Sequence, residues 1–152
     1  MQHSETPMEA AFAEAEAAKA RGEVPIGAVI TNRNGILSRA GNRTRELNDP
    51  TAHAEMLAIR LACEALGQER LGDTSLYVTL EPCAMCAAAI SFARIAKLYF
   101  AAGDPKGGGV EHGVRFFASP TCHHRPEIYS GLGERRAAEL LQGFFVDRRG
   151  SD

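Results

Sequence analysis

Two short segments of the chain carry residue types that can bind a metal ion and transfer protons. His53 and Glu55 are separated by one residue, and Cys83 and Cys86 are separated by two. On a helix, residues three apart lie on one face, so the two thiols are expected to face the same point. Imidazole nitrogen and thiolate sulfur are ligands that zinc takes in proteins, and three ligands leave a fourth tetrahedral position for water. This open set is typical of a catalytic zinc site, whereas a structural site is closed by four protein ligands.

Glu55 lies near the candidate ligands without belonging to the set. A carboxylate there can take a proton from zinc-bound water and return protons to a ring nitrogen and a leaving amine. The combination of His-x-Glu at 53–55 with Pro-Cys-x-x-Cys at 82–86 is the signature of zinc nucleobase deaminases. We therefore predict zinc-dependent, hydrolytic removal of an exocyclic amino group from a nucleobase.

Both ligand segments are predicted to begin helices. Residues 53–66 place apolar side chains near helical spacing and stop at Gly67, and residues 83–94 have a helical composition. Pro82 is predicted in the first turn of the second helix, where its missing N–H costs nothing. A helix N-terminus also favours the thiolate form of a cysteine, which is the form that zinc binds.

The remaining elements predict an α/β protein. The strand, helix and strand over residues 75–101 form a βαβ unit, which implies parallel pairing, so we expect a mostly parallel sheet with helices on both faces. A length of 152 residues fits a single domain over 1–152, with the first seven or so residues and the last few flexible. The other predicted elements are helices over 8–20 and 134–148, strands over 25–31 and 36–40 joined at an Asn-Gly turn, and an irregular segment over 104–125.

Composition and charge restrict the class of protein. No stretch approaches the roughly 20 apolar residues of a membrane span, and the first residues lack the features of a signal peptide, so we expect a cytoplasmic protein with no membrane partner. Four cysteines in such a protein favour metal binding or catalysis over disulfides. Acidic residues outnumber basic ones in 1–82, and basic ones outnumber acidic ones in 83–152. An anionic partner and a solvated helix face explain this asymmetry equally well.

Other residues that could take part in chemistry have simpler structural interpretations. Cys63 is predicted to be a core thiol in the middle of a helix. Residues 122–124 (Cys-His-His) are adjacent and unsuited to converging on one ion, although a histidine there could contact a substrate phosphate. The glycines at 107–109 lack the spacing of a phosphate-binding loop and indicate flexibility. Phe144 and Phe145 are expected in the core, unless one of them stacks on a base.

Longer stretches around these residues resemble the bacterial tRNA-specific adenosine deaminases of the cytidine/deoxycytidylate deaminase superfamily. The resemblance covers about residues 8–149. It is carried by the stretches 23–29 (EVPIGAV), 42–43 (NR), 49–55 (DPTAHAE), 76–83 (LYVTLEPC), 104–108 (DPKGG), 124–125 (HR) and 144–145 (FF).

This resemblance implies a cytidine deaminase-like fold, a three-layer α/β/α sandwich around a mixed, mostly parallel five-stranded sheet. It implies a homodimer and conversion of the wobble adenosine in the anticodon stem-loop of an arginine tRNA to inosine. By match to the family's positions, one Zn²⁺ per chain is bound by His53, Cys83 and Cys86, and Glu55 shuttles protons. The same match implies that Asn42 and the backbone of Ala54 contact the target nucleobase. It also implies that the path of the anticodon loop is lined by Asp104, Lys106 and Phe145.

Two other functions remain open on the residues. A deaminase of free nucleobases or nucleosides, such as guanine or cytosine, would use the same zinc chemistry. A noncatalytic zinc-stabilised interaction module would leave Glu55 without a role and the fourth zinc position unfilled. The phenylalanine pair and the arginines of the C-terminal helix favour an RNA substrate, since an enzyme for small molecules needs no basic groove.

Overall fold

The computed structural model describes residues 5–150, with side chains as far as residue 147. In chain order the elements are α1 Pro7–Ala20, β1 Gly27–Asn32, β2 Gly35–Gly41, α2 Ala54–Leu66, β3 Ser75–Leu80, α3 Ala84–Ala93, β4 Lys97–Ala102, a short 3-10 helix Phe116–Ala118, β5 Glu127–Ser130 and α4 Glu134–Gly150.

The five strands form one sheet in the order β2-β1-β3-β4-β5. Strand β1 is antiparallel to both β2 and β3, whereas β3–β4 and β4–β5 are parallel. The mixed five-stranded sheet is confirmed. Two of its four strand pairings are parallel, however, so the sheet is not mostly parallel as predicted. The reason is that β1 and β2 form a hairpin, and the connection through α2 then passes over β1 to reach β3.

Strand β5 was not predicted from the residue pattern. It has four residues at the edge of the sheet, and all four are exposed. A strand with no buried face shows no alternation of apolar and polar residues, so its sequence carries no strand signal.

Helices cover both faces of the sheet, which confirms the three-layer arrangement. The core under α2 and α3 includes Ala58, Ile90 and Phe100, and the core under α1 and α4 includes Phe12 and Ala137. Helix α1 lies directly on β1. A Cβ atom added to the glycine that begins β1 would lie 1.9 Å from the carbonyl oxygen of Ala11, so this contact requires glycine.

The strand directions bring three connections to one edge of the sheet, namely the edge formed by the ends of the strands and not by an outer strand. Because β2 and β3 are both antiparallel to β1, and β4 is parallel to β3, all three strands end at the same edge. The segments that follow Gly41, Leu80 and Ala102 therefore leave the sheet on the same side, with the start of β1 between the first two. In open α/β sheets, ligands bind outside the carboxyl ends of the strands, so this edge is where a site is expected.

Helix α1 begins earlier than predicted. Thr6 caps the helix and forms a capping box with Glu9, and Pro7 is the first helical residue. Thr6 and Pro7, which the sequence assigned to a flexible segment, thus have defined positions at the start of α1. Residues 1–4, 151 and 152, to which the same expectation applies, lie outside the described residues. None of the helices described in residues 5–150 is long and apolar enough to cross a membrane.

Candidate active site

The three predicted metal ligands lie at the N-termini of two neighbouring helices. His53 is the N-cap of α2, Cys83 is the N-cap of α3, and neither side chain makes the usual capping hydrogen bond. Their side chains are therefore available for a ligand. Cys86 lies in the first turn of α3, whereas Pro82 immediately precedes the N-cap and so lies outside the first turn in which it was predicted. The imidazole Nδ1 of His53 lies 3.6 Å from the Sγ atom of each cysteine.

These distances fit a tetrahedral zinc ion. Zinc lies about 2.0–2.1 Å from histidine nitrogen and about 2.3 Å from cysteine sulfur, so two tetrahedral ligands of these types are about 3.6 Å apart. All three ligand atoms lie within 4.8 Å of one another, and among the described residues this is the cluster with such geometry. The residues present therefore fit the ion that the spacing predicts.

The electrostatics of the two thiols also favour a cation. Contact with Cys86 is the largest of the effects that lower the pKa of Cys83 to about 4; burial opposes this shift, and His53 contributes to it. The same contact raises the pKa of Cys86 above the ordinary thiol value, and burial adds to this effect. One negative charge is thus shared by two adjacent sulfur atoms, and a divalent cation would allow both to ionise.

A tight turn sets the position of His53. One carboxylate oxygen of Asp49 accepts hydrogen bonds from the backbone N–H of Thr51 at 2.8 Å and from its hydroxyl at 2.7 Å. The hydroxyl and backbone bonds of Thr51 lower the pKa of Asp49, so this turn is held by an ionised carboxylate. The N–H of Arg43 donates to the carbonyl of Ala52 at 3.0 Å, which ties the turn to the segment that leaves β2.

Glu55 is the second residue of α2 and is only 4% exposed. Burial raises the pKa of Glu55 to about 7, and the negative charge of Cys83 adds to this effect. A carboxyl group with a pKa near neutral pH can both accept and release protons, which is the requirement for general acid–base catalysis. The structure places this group against Cys86, where the pKa of each group responds to contact with the other.

The other predicted site residues fall into two groups. Asp104, Lys106 and Phe145 line one groove of about 760 Å³ between the loop after β4 and helix α4. Ala54 is buried as the first residue of α2, next to His53. Asn42 is the buried residue that follows β2. Its backbone N–H donates at 3.1 Å to the carbonyl of Ile26, which lines the groove.

The phenylalanine pair is divided between core and groove. Phe144 is 5% exposed, whereas Phe145 is 46% exposed and faces the groove. The two rings meet edge to face, with centroids 5.4 Å apart. Of the two alternatives left open by the sequence, Phe144 takes the core position and Phe145 the accessible one. The arginines at 148 and 149 have side chains outside the described part of the chain.

The secondary candidates of the sequence have structural roles. The Nε2 of His124 donates to the carbonyl of Ile95 at 2.7 Å, and Cys122 contacts the carbonyl of His124, so these residues form no metal cluster in the described part of the chain. Cys63 packs against the core but is only half-buried, so the prediction of a core thiol is confirmed in part. The glycines at 107–109 are not simply flexible, because the second and third are buried in close contacts.

Two buried carboxylates were missed by the sequence reasoning. Glu23 accepts hydrogen bonds from the backbone amides of Arg45 and Glu46, and Glu81 accepts them from the loop after β4. Glu81 immediately precedes Pro82 of the metal-binding motif, and this position was the one feature of the sequence that could have marked it as important. Its partners could not be read from the sequence, since they lie 23 to 31 residues further along the chain.

Comparison with known proteins identifies the family. Residues 1–102 match the zinc-binding region of cytidine and deoxycytidylate deaminases. The chain is 64% identical over 145 residues to the tRNA-specific adenosine deaminase of Agrobacterium fabrum, which covers 95% of each sequence. The chain belongs to the bacterial tRNA-specific adenosine deaminase family. It is therefore a zinc-dependent hydrolytic deaminase, and the predicted fold, cofactor and enzyme class are confirmed.

Solved structures agree with this assignment. A structure from a study of A-to-I editing by tRNA:A34 deaminases at the wobble position of transfer RNA has a TM-score of 0.88 and 66% identity, covering 89% of this chain and 98% of that one. A guanine deaminase from Bacillus subtilis has a TM-score of 0.64 and 34% identity, covering 98% of this chain and 95% of that one. The same fold is thus found in a protein described as acting on a free base.

Proposed function

We propose that this deaminase converts the wobble adenosine of a tRNA anticodon to inosine. An arginine tRNA is the expected substrate from the sequence resemblance, and we expect a cytoplasmic homodimer. The proposal is supported by the identity of 64% to a tRNA-specific adenosine deaminase and by the groove that Asp104, Lys106 and Phe145 line.

In this proposal, His53, Cys83 and Cys86 hold one zinc ion per chain. Zinc, when bound, supplies the Lewis acid that makes water nucleophilic near neutral pH. Glu55 removes a proton from the attacking water and delivers it to a ring nitrogen. It then removes the remaining proton from the hydroxyl group added at C6 and delivers it to the leaving amine. A C–O bond forms at C6 of adenine, the bond from C6 to the amino nitrogen breaks, and ammonia leaves. The pKa of Glu55, near 7, suits a group that must take and give protons in one cycle.

Recognition of the base is assigned to Asn42 and Ala54. The N–H of Ala54 belongs to the first residue of α2, and such an N–H has no acceptor within its own helix. It can therefore donate to a bound base. Asn42 is buried, with its side-chain amide held by a 3.2 Å hydrogen bond to the hydroxyl of Thr44, so its orientation is fixed before substrate arrives.

The groove suits an RNA loop better than a free base. A stacked base is unreachable, but a hairpin loop can present a splayed base at low cost. Lys106 is exposed at the rim and can contact phosphate, and the exposed ring of Phe145 can pack on a flanking base. The convergence of these residues with Asp104 on one open groove is the observation that carries the proposal.

The test is incubation of the zinc-loaded enzyme with the anticodon stem-loop of an arginine tRNA, and separately with free adenosine, guanine and cytosine. We expect inosine from the stem-loop alone, detected by nucleoside analysis after digestion. Turnover of free adenosine within tenfold of the stem-loop, or deamination of guanine or cytosine, would favour the free-base deaminase. Absence of any product from the stem-loop would refute the proposed substrate. For the homodimer, light scattering should give about twice the 16.3 kDa of one chain.

A further inference from the structure

The carboxylate of Glu81 is buried between the end of β3 and the loop that follows β4, with the residue 2% exposed. One oxygen accepts from the backbone N–H of Asp104 at 2.9 Å and from the ring Nδ1 of His112 at 2.6 Å. The other accepts from three successive backbone N–H groups, those of Val110, Glu111 and His112, at 2.9 to 3.1 Å. Five hydrogen bonds therefore converge on this one side chain.

The arrangement favours an ionised carboxylate. Four of the five partners are backbone N–H groups, which can only donate, and the ionised form can accept from all five at once. Successive backbone N–H groups that converge on one oxygen form an anion-binding nest, and hydrogen bonds to an ionised acceptor are stronger than neutral ones. Glu81 thus acts as an internal anion around which residues 104–112 fold.

Glycines make room for this carboxylate. A Cβ atom added to Gly108 would lie 2.5 Å from the carboxyl carbon of Glu81, and one added to Gly103 would lie 3.2 Å from the ring of His112. The N–H of Gly108 also bonds to the carbonyl of Asp104 at 2.9 Å. The glycine-rich sequence of this loop is therefore explained by close approach to Glu81.

The same loop contacts the metal-binding segment. The N–H of Gly109 donates to the carbonyl of Pro82 at 2.8 Å, and a Cβ atom on Gly109 would lie 2.9 Å from the carbonyl carbon of Cys83. Glu81 itself is two residues before Cys83 in the chain. The segment that carries the predicted zinc ligand Cys83 is thus bound to the loop of Asp104 and Lys106 at two successive residues. Glu81 contributes its carboxylate, and the next residue contributes its backbone carbonyl.

We propose that Glu81, with His112, is a positioning residue that holds the wall of the substrate groove formed by Asp104 and Lys106 in register with the metal-binding segment. This inference rests on the proposed RNA substrate. Neither Glu81 nor His112 lines the groove, so both act on substrate through the loop.

The test compares Glu81→Gln with wild-type enzyme on the anticodon stem-loop. A glutamine amide can retain the three N–H groups on its oxygen, and a neutral His112 can accept from its NH₂, which leaves the N–H of Asp104 facing a donor. We expect KM to rise about tenfold or more and kcat to change less than about threefold, with one zinc per chain retained, because substrate binding and not chemistry is disturbed. His112→Asn, which keeps an N–H donor, should stay close to wild type, whereas His112→Leu should raise KM.

Amide hydrogen exchange gives a readout that does not depend on activity. In Glu81→Gln, exchange should accelerate most at Asp104, whose N–H loses its acceptor, and less at residues 110–112, whose acceptor becomes neutral. Exchange at Arg45 and Glu46 should stay unchanged. Glu23→Gln is the matched control, because Glu23 is also buried and accepts from the amides of Arg45 and Glu46. In Glu23→Gln, exchange should accelerate at Arg45 and Glu46 and stay unchanged at Asp104 and at residues 110–112.

An unchanged KM, or unchanged exchange over residues 104–112, in a folded and zinc-loaded Glu81→Gln enzyme would overturn the inference. Loss of zinc with an unchanged KM in the remaining loaded fraction would also overturn it, since Glu81 would then support the metal segment alone. If Glu81→Gln does not fold, His112→Leu decides by the same criteria. Failure of the wild-type enzyme to deaminate the stem-loop would remove the proposed function, while the exchange pattern would still decide whether Glu81 orders the loop.

Discussion

Replacing Glu55 with glutamine separates the chemical role of this side chain from its structural one. Glutamine has the same shape and can occupy the same buried site at the start of α2, but it cannot take up a proton from water. General acid–base catalysis contributes about 10²–10⁴-fold, which is roughly 3–5.5 kcal/mol of barrier. We expect the loss in kcat to reach at least the upper end, because one carboxylate serves several proton transfers.

Stability should change in the opposite direction. Burial raises the pKa of Glu55 from 4.5 to about 7, so holding the carboxylate ionised in the metal-free fold costs roughly 3 kcal/mol at 1.36 kcal/mol per pKa unit. The folded state binds this proton more tightly than the unfolded chain, so the effect lowers stability as pH rises from about 4.5 to about 7. Above pH 7, the metal-free Gln variant should therefore be no less stable than wild type.

The assay is single-turnover inosine formation, combined with zinc analysis and thermal unfolding of the metal-free protein. Glu64→Gln is a suitable control, because Glu64 is an exposed carboxylate on the same helix and should be neutral in all three measurements. Activity of Glu55→Gln within tenfold of wild type would refute the assignment of Glu55 as proton shuttle. Loss of zinc in this variant would instead make the carboxylate a ligand or a folding requirement.

Three further predictions concern the metal and the groove. Zinc should fall from one per chain to a trace by metal analysis in the double variant Cys83→Ala/Cys86→Ala, and it should remain in Cys63→Ala; retention in the double variant would remove the ligand assignment. Phe145→Ala should weaken stem-loop binding with little loss of stability, whereas Phe144→Ala should cost about 3–5 kcal/mol in the free energy of unfolding. Equal destabilisation by both substitutions would contradict the division between core and groove. Stem-loop binding should weaken steeply with salt because phosphate contacts release counterions, and salt-independent binding would favour a free-base substrate.

The fold was predictable wherever its signals are local. The helices of the ligand segments begin within one residue of the predicted starts, with His53 and Cys83 as their N-caps, since helical periodicity and helix-start residues are read within one or two turns. Residues 75–80 were predicted as a strand with the observed bounds. The antiparallel position of β1 beside β3 was not predictable in this way, because strand pairing joins residues far apart in sequence and depends on the connections.

The sequence by itself determined the chemistry of this protein. The types and spacing of His53, Glu55, Cys83 and Cys86 predicted a zinc site and a proton shuttle, because ligand identity and helical periodicity are properties of the residues themselves. The tertiary structure decided which side chains surround that chemistry. It buried Phe144 and exposed Phe145, and it closed the loop after β4 on a carboxylate before Pro82. These outcomes follow from burial and from hydrogen bonds between segments more than 20 residues apart, and such contacts exist only once the sheet has formed.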